Sequence, residues 1–477
     1  MSRSVDHAYA SPKVHESTTE LLQSGGSPTR IRFAIIALSM CMSLILYLDR
    51  FALAPITSTL LVDLELTKEE FGRRSMWFFW LYAIFQVPAG ALADRFGARK
   101  MLAIYVIAWS VATMALGFVQ GLVGLIGLNA AMGAAQAGAY PAAGSFLKRW
   151  ANPTARAKAN SLVAAGGRIG ALVAFAITAW LALQLKGMFG VGQGWRLTLI
   201  LYGMLGIVWA TVFWFFFRDR PSEHPGCNQA EVDLIGPEPA VPAASKTPVT
   251  EMLRTLVSLL TSSNVWLLSL SGFLVNVGWI FLTTWQTVYI MEKFAPQLRE
   301  MFPNIAEGAN LEDMKQVIAG RLTALVLFAG MTGGIVGGIA ADIFRRRLGP
   351  IWGRRVPGML AGGLAGAAYL SFQYVGDIWL FVALMLIVSF TVDFGLGSLW
   401  ATYQDIGGRH VGSVLGFANM WGNFGAGLCG WYYGWLADGK NWTLVFTISA
   451  IALFAMSISW LAVNPTVTLQ KEPAVDQ

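Results

Sequence analysis

Long stretches without one charged side chain, separated by short polar clusters, recur along the whole chain. Phe33–Leu48 is uncharged, Asp49 and Arg50 follow, and the apolar run resumes to Val62, which predicts one long first helix. Ser75–Ala93 predicts a second. Met101–Leu147 carries no charge over 47 residues. As a single helix at 1.5 Å per residue it would be more than twice as long as a bilayer core is thick, so it predicts two spans joined near Gly121. Ala159–Leu185, interrupted only by Arg168, and Leu197–Phe217 predict spans five and six.

Arg218 to about Ser262 breaks the pattern with prolines and mixed charges, and reads as a linker with a surface helix around Met252–Leu260. The plan then repeats in Val265–Met291, Leu322–Ala341, Val356–Gly376, Ile378–Ala401, Val411–Ala437 and Asn441–Val463. The expected organisation is a polar tail over 1–30, a six-helix half over 31–217, a linker over 218–262, a second six-helix half over 263–463 and a tail over 464–477.

Composition narrows the class. Of 477 residues, 55% are hydrophobic and 13% charged, about half the charged share of an ordinary soluble domain. Twelve spans of about 20 residues would use half the chain and leave enough for loops. This excludes disorder and, despite a net charge of +7, a nucleic-acid binder. With the N-terminus inside, 22 Lys and Arg fall in cytoplasmic segments and 10 on the outer side. The excess basic charge is therefore topological, and both termini are expected in the cytoplasm. Cys41, Cys227 and Cys429 are too far apart for a metal site or a disulfide framework. The first 30 residues are polar and the run after them is too long for a signal core, so no cleavable leader is expected.

The two halves repeat in sequence. GALADRFGARK (90–100) follows span 2 and GGIAADIFRRR (337–347) follows span 8, placing Asp94 and Asp342 at a 248-residue offset. AAGGRIGA (164–171) and NMWGNFGA (419–426) stand 255 residues apart in spans 5 and 11. Two six-helix halves in parallel repeat resemble the major facilitator superfamily of transporters, and Gly90–Lys100 resembles that superfamily's signature loop. The expected fold is thus an all-α membrane protein with twelve transmembrane helices. The resemblance implies that Asp94, Arg95 and Arg99, with Asp342 in the second half, gate by tying the halves together in an outward-open state. The other reading is a solvated basic loop.

Finer motifs resemble the anion:cation symporters, which include bacterial sugar-acid permeases and vesicular glutamate and sialic-acid transporters. They are Tyr47–Arg50, Phe79–Pro88, the Lys148-Arg149-Trp150/Pro153/Arg156 loop, Thr284-Trp285 with Tyr289, and Asn419-x2-Gly422-Asn423-x-Gly425. A charge at mid-membrane costs about 2.5–3.5 kcal/mol even on lenient scales, so Asp49 and Arg50 need a reason to be there. One reading is a mutually neutralising pair. The other rests on their pointing in different directions, as consecutive helical residues do. Arg50 then offers a planar fork to a carboxylate, and Asp49 carries the coupling proton. The resemblance implies these same two roles.

Span 4 departs from the family. Relatives carry an arginine and, seven residues later, a glutamate ahead of the Tyr140-Pro141 step, where this chain has Asn129 and Gln136. Two other charges lie inside spans, Arg168 in span 5 and Asp393 in span 10. Each lies about nine residues, or ~14 Å, from the cytoplasmic end of its helix. They are expected either to form an ion pair between the halves, with Asp393 sharing cation coupling, or to act separately, Arg168 then contacting the substrate. The resemblance places Tyr47, Tyr82, Gln86, Trp285, Asn419 and Asn423 on the cavity wall. For Asn419 and Asn423, four apart on one helix face, interhelical hydrogen bonding is the alternative.

The sequence therefore predicts a secondary transporter in the inner or plasma membrane. It would move a small organic anion, such as a hexuronate or aldonate, by proton symport. Anion exchange and a transport-dead sensor are the alternatives. No enzyme constellation, cofactor, metal or nucleic-acid partner is expected: all four histidines lie outside the spans. Lipid, a coupling cation and a monomeric state complete the expectation.

Overall fold

The structure is a computed structural model that describes residues 27–469, apart from 153–154, 191, 237–248, 302, 304–308 and 408–410. Helices account for all the regular secondary structure among the described residues. The spans are Ile31–Asp63, Lys68–Ala93, Ala98–Leu116, Leu122–Trp150, Lys158–Phe189, Gln193–Phe216, Ser263–Lys293, Ile378–Gly407 and Trp442–Ser459, with Leu311–Tyr374 holding two more. That 64-residue segment cannot be one span, and its helix is interrupted at Gly349, where φ is 79°. A positive φ is a conformation glycine adopts without steric cost. Val411–Asp438, 28 residues long, brings the number to twelve. They are numbered spans 1 to 12 in chain order. Apolar side chains such as Ile84, Val208, Ile339 and Ile451 are exposed around the bundle, as a lipid-facing surface requires. The chain is an integral, multi-pass membrane protein.

Each half packs the same way. Spans 1 and 5, 2 and 4, and 3 and 6 pair in the first half, as do 7 and 11, 8 and 10, and 9 and 12 in the second. Between the halves, span 2 lies along span 11 and span 5 along span 8. An even number of spans leaves both chain ends on one side of the bundle, here called the terminal face.

Three helices extend beyond, or depart from, the apolar runs that announce them. Span 2 starts at Lys68, seven residues before its charge-free run, and is nucleated by a capping box in which Thr67 and Glu70 exchange side-chain and backbone hydrogen bonds. Span 8 reaches out to Leu311, eleven residues early, through Glu312, Asp313, Lys315 and Arg321. Span 7 widens into a π-helical turn over Phe281–Trp285, an insertion often found at functional sites.

The linker forms Gln229–Ile235 and Val249–Thr261, the latter covering the expected surface helix. Glu231 is fully buried and accepts hydrogen bonds from the Ile31 and Arg32 amides (2.9 and 3.0 Å), the Arg32 guanidinium (3.2 Å) and the Thr29 hydroxyl. It thereby satisfies the free donors at the start of span 1. Burial alone would raise its pKa. The Thr29 hydroxyl, the two amides and the Arg32 charge outweigh burial and hold the Glu231 carboxyl below its ordinary value.

Candidate functional site

A seam closes the two halves against each other on the face opposite the termini. The Lys68 and Glu69 amides, at the start of span 2, both donate to the Asp438 carboxylate at the end of span 11 (2.8 Å each). A carboxylate from one half thus caps a helix of the other, where its charge also meets the positive end of the helix dipole. The Lys68 ammonium lies 2.6 Å from Glu292 and donates to the Ala437 carbonyl (3.0 Å). Lys186 pairs with Asp313, and Gln316 donates to the Pro55 carbonyl (2.7 Å) while accepting from Thr59 (2.9 Å). The charged start of span 8 is therefore part of this seam. Trp285 belongs here too. It is fully buried, packed edge-on against Phe71, with its indole donating to the Gly430 carbonyl. The Phe71 contact joins the halves, whereas the hydrogen bond to Gly430 stays within the second half.

At the terminal face the described contacts of the gating residues stay within one half. Arg99 holds the Trp214 carbonyl, and its amide donates to Asp219. Arg95 and Asp342 are exposed, and Arg354 pairs with Asp405 at 2.8 Å. The Asp94 side chain and Pro153 lie outside the described residues. Among the described residues, the contacts that join the halves by charged helix ends lie at the far seam.

Below the seam, between the halves, Arg50 extends from span 1 into a ring of aromatic faces. Its guanidinium carbon sits 4.9, 5.3 and 4.6 Å from the ring centroids of Tyr47, Phe78 and Tyr82, distances at which the ring quadrupoles attract a cation. Nε donates to the Gln136 carbonyl oxygen (3.0 Å), and the Gln136 amide is fixed in turn on the Leu46 carbonyl (3.2 Å). Nη2 is buried without a partner. Tyr140 stands edge-on to Tyr47 and shares a 2.5 Å hydrogen bond with Ser43.

The next residue back, Asp49, points elsewhere. It is 1% exposed, inside the first half among Trp109 and Tyr202, and neither carboxylate oxygen has a hydrogen-bond partner. The 100° step of a helix separates the two neighbours, so they do not neutralise each other.

Another arginine of this region lies just outside the charge-free run that predicts span 2 and is buried all the same. Arg74 of span 2 is 5% exposed, donates to the Asn129 carbonyl oxygen (3.3 Å), covers the Phe71 ring at 4.1 Å and leaves Nε unpartnered. It lies against one of the two span 4 positions where the family pattern fails. Arg50 and Arg74 line one cavity with Ser75, Phe78 and the span 7 residues Thr283 and Thr284. None of the ion pairs among the described residues includes either arginine.

Nearer the terminal face, Arg168 and Asp393 form a two-pronged ion pair, Nη1 to Oδ2 at 2.6 Å and Nη2 to Oδ1 at 3.1 Å. The pair joins the halves. Its route differs from a direct contact of spans 5 and 10: it is span 8 that lies beside span 5, and Arg168 reaches span 10 past Gly330. A methyl group at that glycine would stand 2.8 Å from Asp393 Oδ2. Asn419 donates to Gln86 across the halves (3.0 Å), whereas Asn423 bonds back to the Asn419 carbonyl of its own helix (2.8 Å).

The model of the Major Facilitator Superfamily matches residues 39–430, more than four-fifths of the chain. The chain belongs to that superfamily. Solved members share its architecture. A bacterial homologue of the human lysosomal transporter Spinster, in an inward-facing and unoccupied conformation, superposes with a TM-score of 0.68 at 17% identity, over 92% of this chain and 96% of that one. A D-xylose–proton symporter superposes at 0.66 with 15% identity, over 91% and 98%. Superfamily relatives by sequence include a probable sulfoacetate transporter of Cupriavidus necator, 27% identical over 92% of this chain and 95% of its own length. A D-galactonate transporter of Escherichia coli is 26% identical (90% and 95%), and a probable galactarate/D-glucarate transporter of Bacillus subtilis is 26% identical (94% and 95%).

Proposed function

We propose that the protein is a secondary transporter of a small organic anion of the sugar-acid class, driven by a cation gradient and working by alternating access. The observation that carries this reading is Arg50: a cation held between the halves by three aromatic faces, with a free Nη2 and no carboxylate partner among the described residues. A cation inside the membrane in that state needs a counter-ion, and a guanidinium fork matches a carboxylate. The three sequence relatives, a D-galactonate transporter and probable transporters of sulfoacetate and of galactarate/D-glucarate, support the class.

We assign the terminal face to the cytoplasm, in the inner or plasma membrane, on the positive-inside bias of its loops. In that orientation the described state faces inward, and Arg95, Arg99 and Asp342 tie the halves in the outward-facing state. Asp49 carries the coupling proton. Asp393, freed from Arg168 in the other state, is the second coupling carboxylate. The protein acts as a monomer. A neutral Gln136 on Arg50 favours one other reading, obligate exchange of anions, which needs no titrating acid at that place.

Uptake of a radiolabelled sugar acid into proteoliposomes, with and without an inward proton gradient, separates the two modes. Symport predicts accumulation above equilibrium in the wild type. It also predicts that Asp49→Asn loses that accumulation while retaining counterflow. A wild type that moves substrate only against a loaded counter-anion establishes exchange. Gradient-driven accumulation by Asp49→Asn at the wild-type level removes the proton role from Asp49.

A further inference from the structure

Arg74 is a buried charge with no ion pair among the described residues. It is inside the bundle, its one hydrogen bond goes to a neutral amide at 3.3 Å, and its Nε has no partner. A structural role would normally show a carboxylate or several carbonyls around a buried guanidinium, because an uncompensated buried charge costs several kcal/mol. Here the remaining neighbour is the face of Phe71. Arg50, in the same cavity, is similarly exempt from ion pairing among the described residues. Two guanidinium groups that line one cavity, with no carboxylate partner among the described residues, repel each other. A monoanion would relieve only one of them.

We propose that Arg74 is a second anion-binding residue and that the site takes a small organic dianion, one anionic group on Arg50 and the other on Arg74. The inference rests on the transport reading above and specifies its substrate. Ser75, Thr283 and Thr284 line the wall with the two cations, polar residues beside the chain that joins the anionic groups. Thr283 and Thr284 sit on the π-helical turn of span 7. Span 7 belongs to the second half and both arginines to the first, so a dianion in this cavity touches both halves at once.

The test uses the purified full-length protein and two matched pairs of probes, galactarate with galactonate and succinate with butyrate. Affinity is measured by ligand-dependent thermal stabilisation. Wild type is expected to bind the dianion of at least one pair ten or more times more tightly than its monoanion. Arg74→Gln is expected to reduce that ratio to within about twofold while still binding the monoanion, and Arg50→Gln to lose both ligands. Arg74→Met, unbranched and apolar though shorter, is made in parallel in case the glutamine variant folds poorly, and the same loss of ratio is expected. The inference is overturned, with the transport reading intact, if monoanion and dianion bind wild type equally in every pair. It is likewise overturned if either Arg74 variant keeps the wild-type ratio. Binding of none of the four probes to wild type overturns the inference together with the substrate class on which it rests.

Discussion

Arg168 and Asp393 meet through two parallel hydrogen bonds across the boundary of the halves, a geometry that gains from both charge and direction. Asp393 is nearly sealed, whereas Arg168 keeps about a third of its side chain exposed. Removing either partner leaves a lone charge, expected to cost about 3–5 kcal/mol for a buried pair, and removing both should cost less. A double-mutant cycle with Arg168→Gln and Asp393→Asn, scored by folded yield and by uptake, measures the coupling. Strictly additive losses would separate the two residues. Both charges, with Asp49 and Arg50, were legible in the sequence because each interrupts an apolar run. Arg74 was not. It follows Glu69, Glu70 and Arg73, so a reading by charge density ends the membrane segment at Ser75 and leaves Arg74 in the loop. Only the helix register shows that Arg73 is half-exposed while Arg74, one step round, faces Asn129.

The lengths of elements follow the same logic. Hydropathy marks where a helix meets lipid, and it cannot show how far the helix continues where its charges meet protein. Span 8 is the example: Asp313 and Gln316 look like a polar loop and are in fact helical side chains holding Lys186, Thr59 and Pro55 of the other half. The π-helical turn of span 7 leaves no mark in composition either. The twelve spans themselves, their pairing as a repeat and the linker helix were legible, since periodicity and offset repeats suffice for those. Glu231 gives an element-scale prediction. Its native pKa lies below the ordinary value of about 4.3, so its contribution to stability is complete above that value and is lost as pH falls through the depressed native pKa. Glu231→Gln is therefore expected to lower apparent thermal stability at pH 6–8, by about 1.5–3 kcal/mol for hydrogen bonds to a charged group. The deficit should disappear in acid, well below pH 4. A deficit that stays constant down to pH 3 would show that the carboxylate charge is not what holds the linker to span 1.

For the whole molecule, the repeat settles the fold, but no repeat tells which side is shut, because under the proposed alternating access one sequence closes both ways in turn. The state is read from the seam. At its centre two glycines face each other: a Cβ on Gly72 would lie 2.4 Å from the Gly430 carbonyl oxygen and 3.0 Å from the Trp431 Cα. The obstacle is backbone on both sides, so nothing can rotate away. Gly72 lies within a regular helix without a positive φ, and alanine there should be at least as good a helix former. The penalty of Gly72→Ala is therefore expected to fall on the closed seam, which is the condition for shifting a population rather than unfolding a protein. With Cys41, Cys227 and Cys429 replaced, Thr284→Cys at the cavity wall should react faster with a membrane-impermeant thiol reagent from the far side once Gly72→Ala is added, while turnover falls. Unchanged labelling and turnover would mean that the seam opens and closes without regard to this contact. If labelling rises, the balance between the protein's two faces is set by a hydrogen atom that no substrate touches. The resting orientation can then be retuned, one methyl group at a time, with the chemistry of the binding site left as it is.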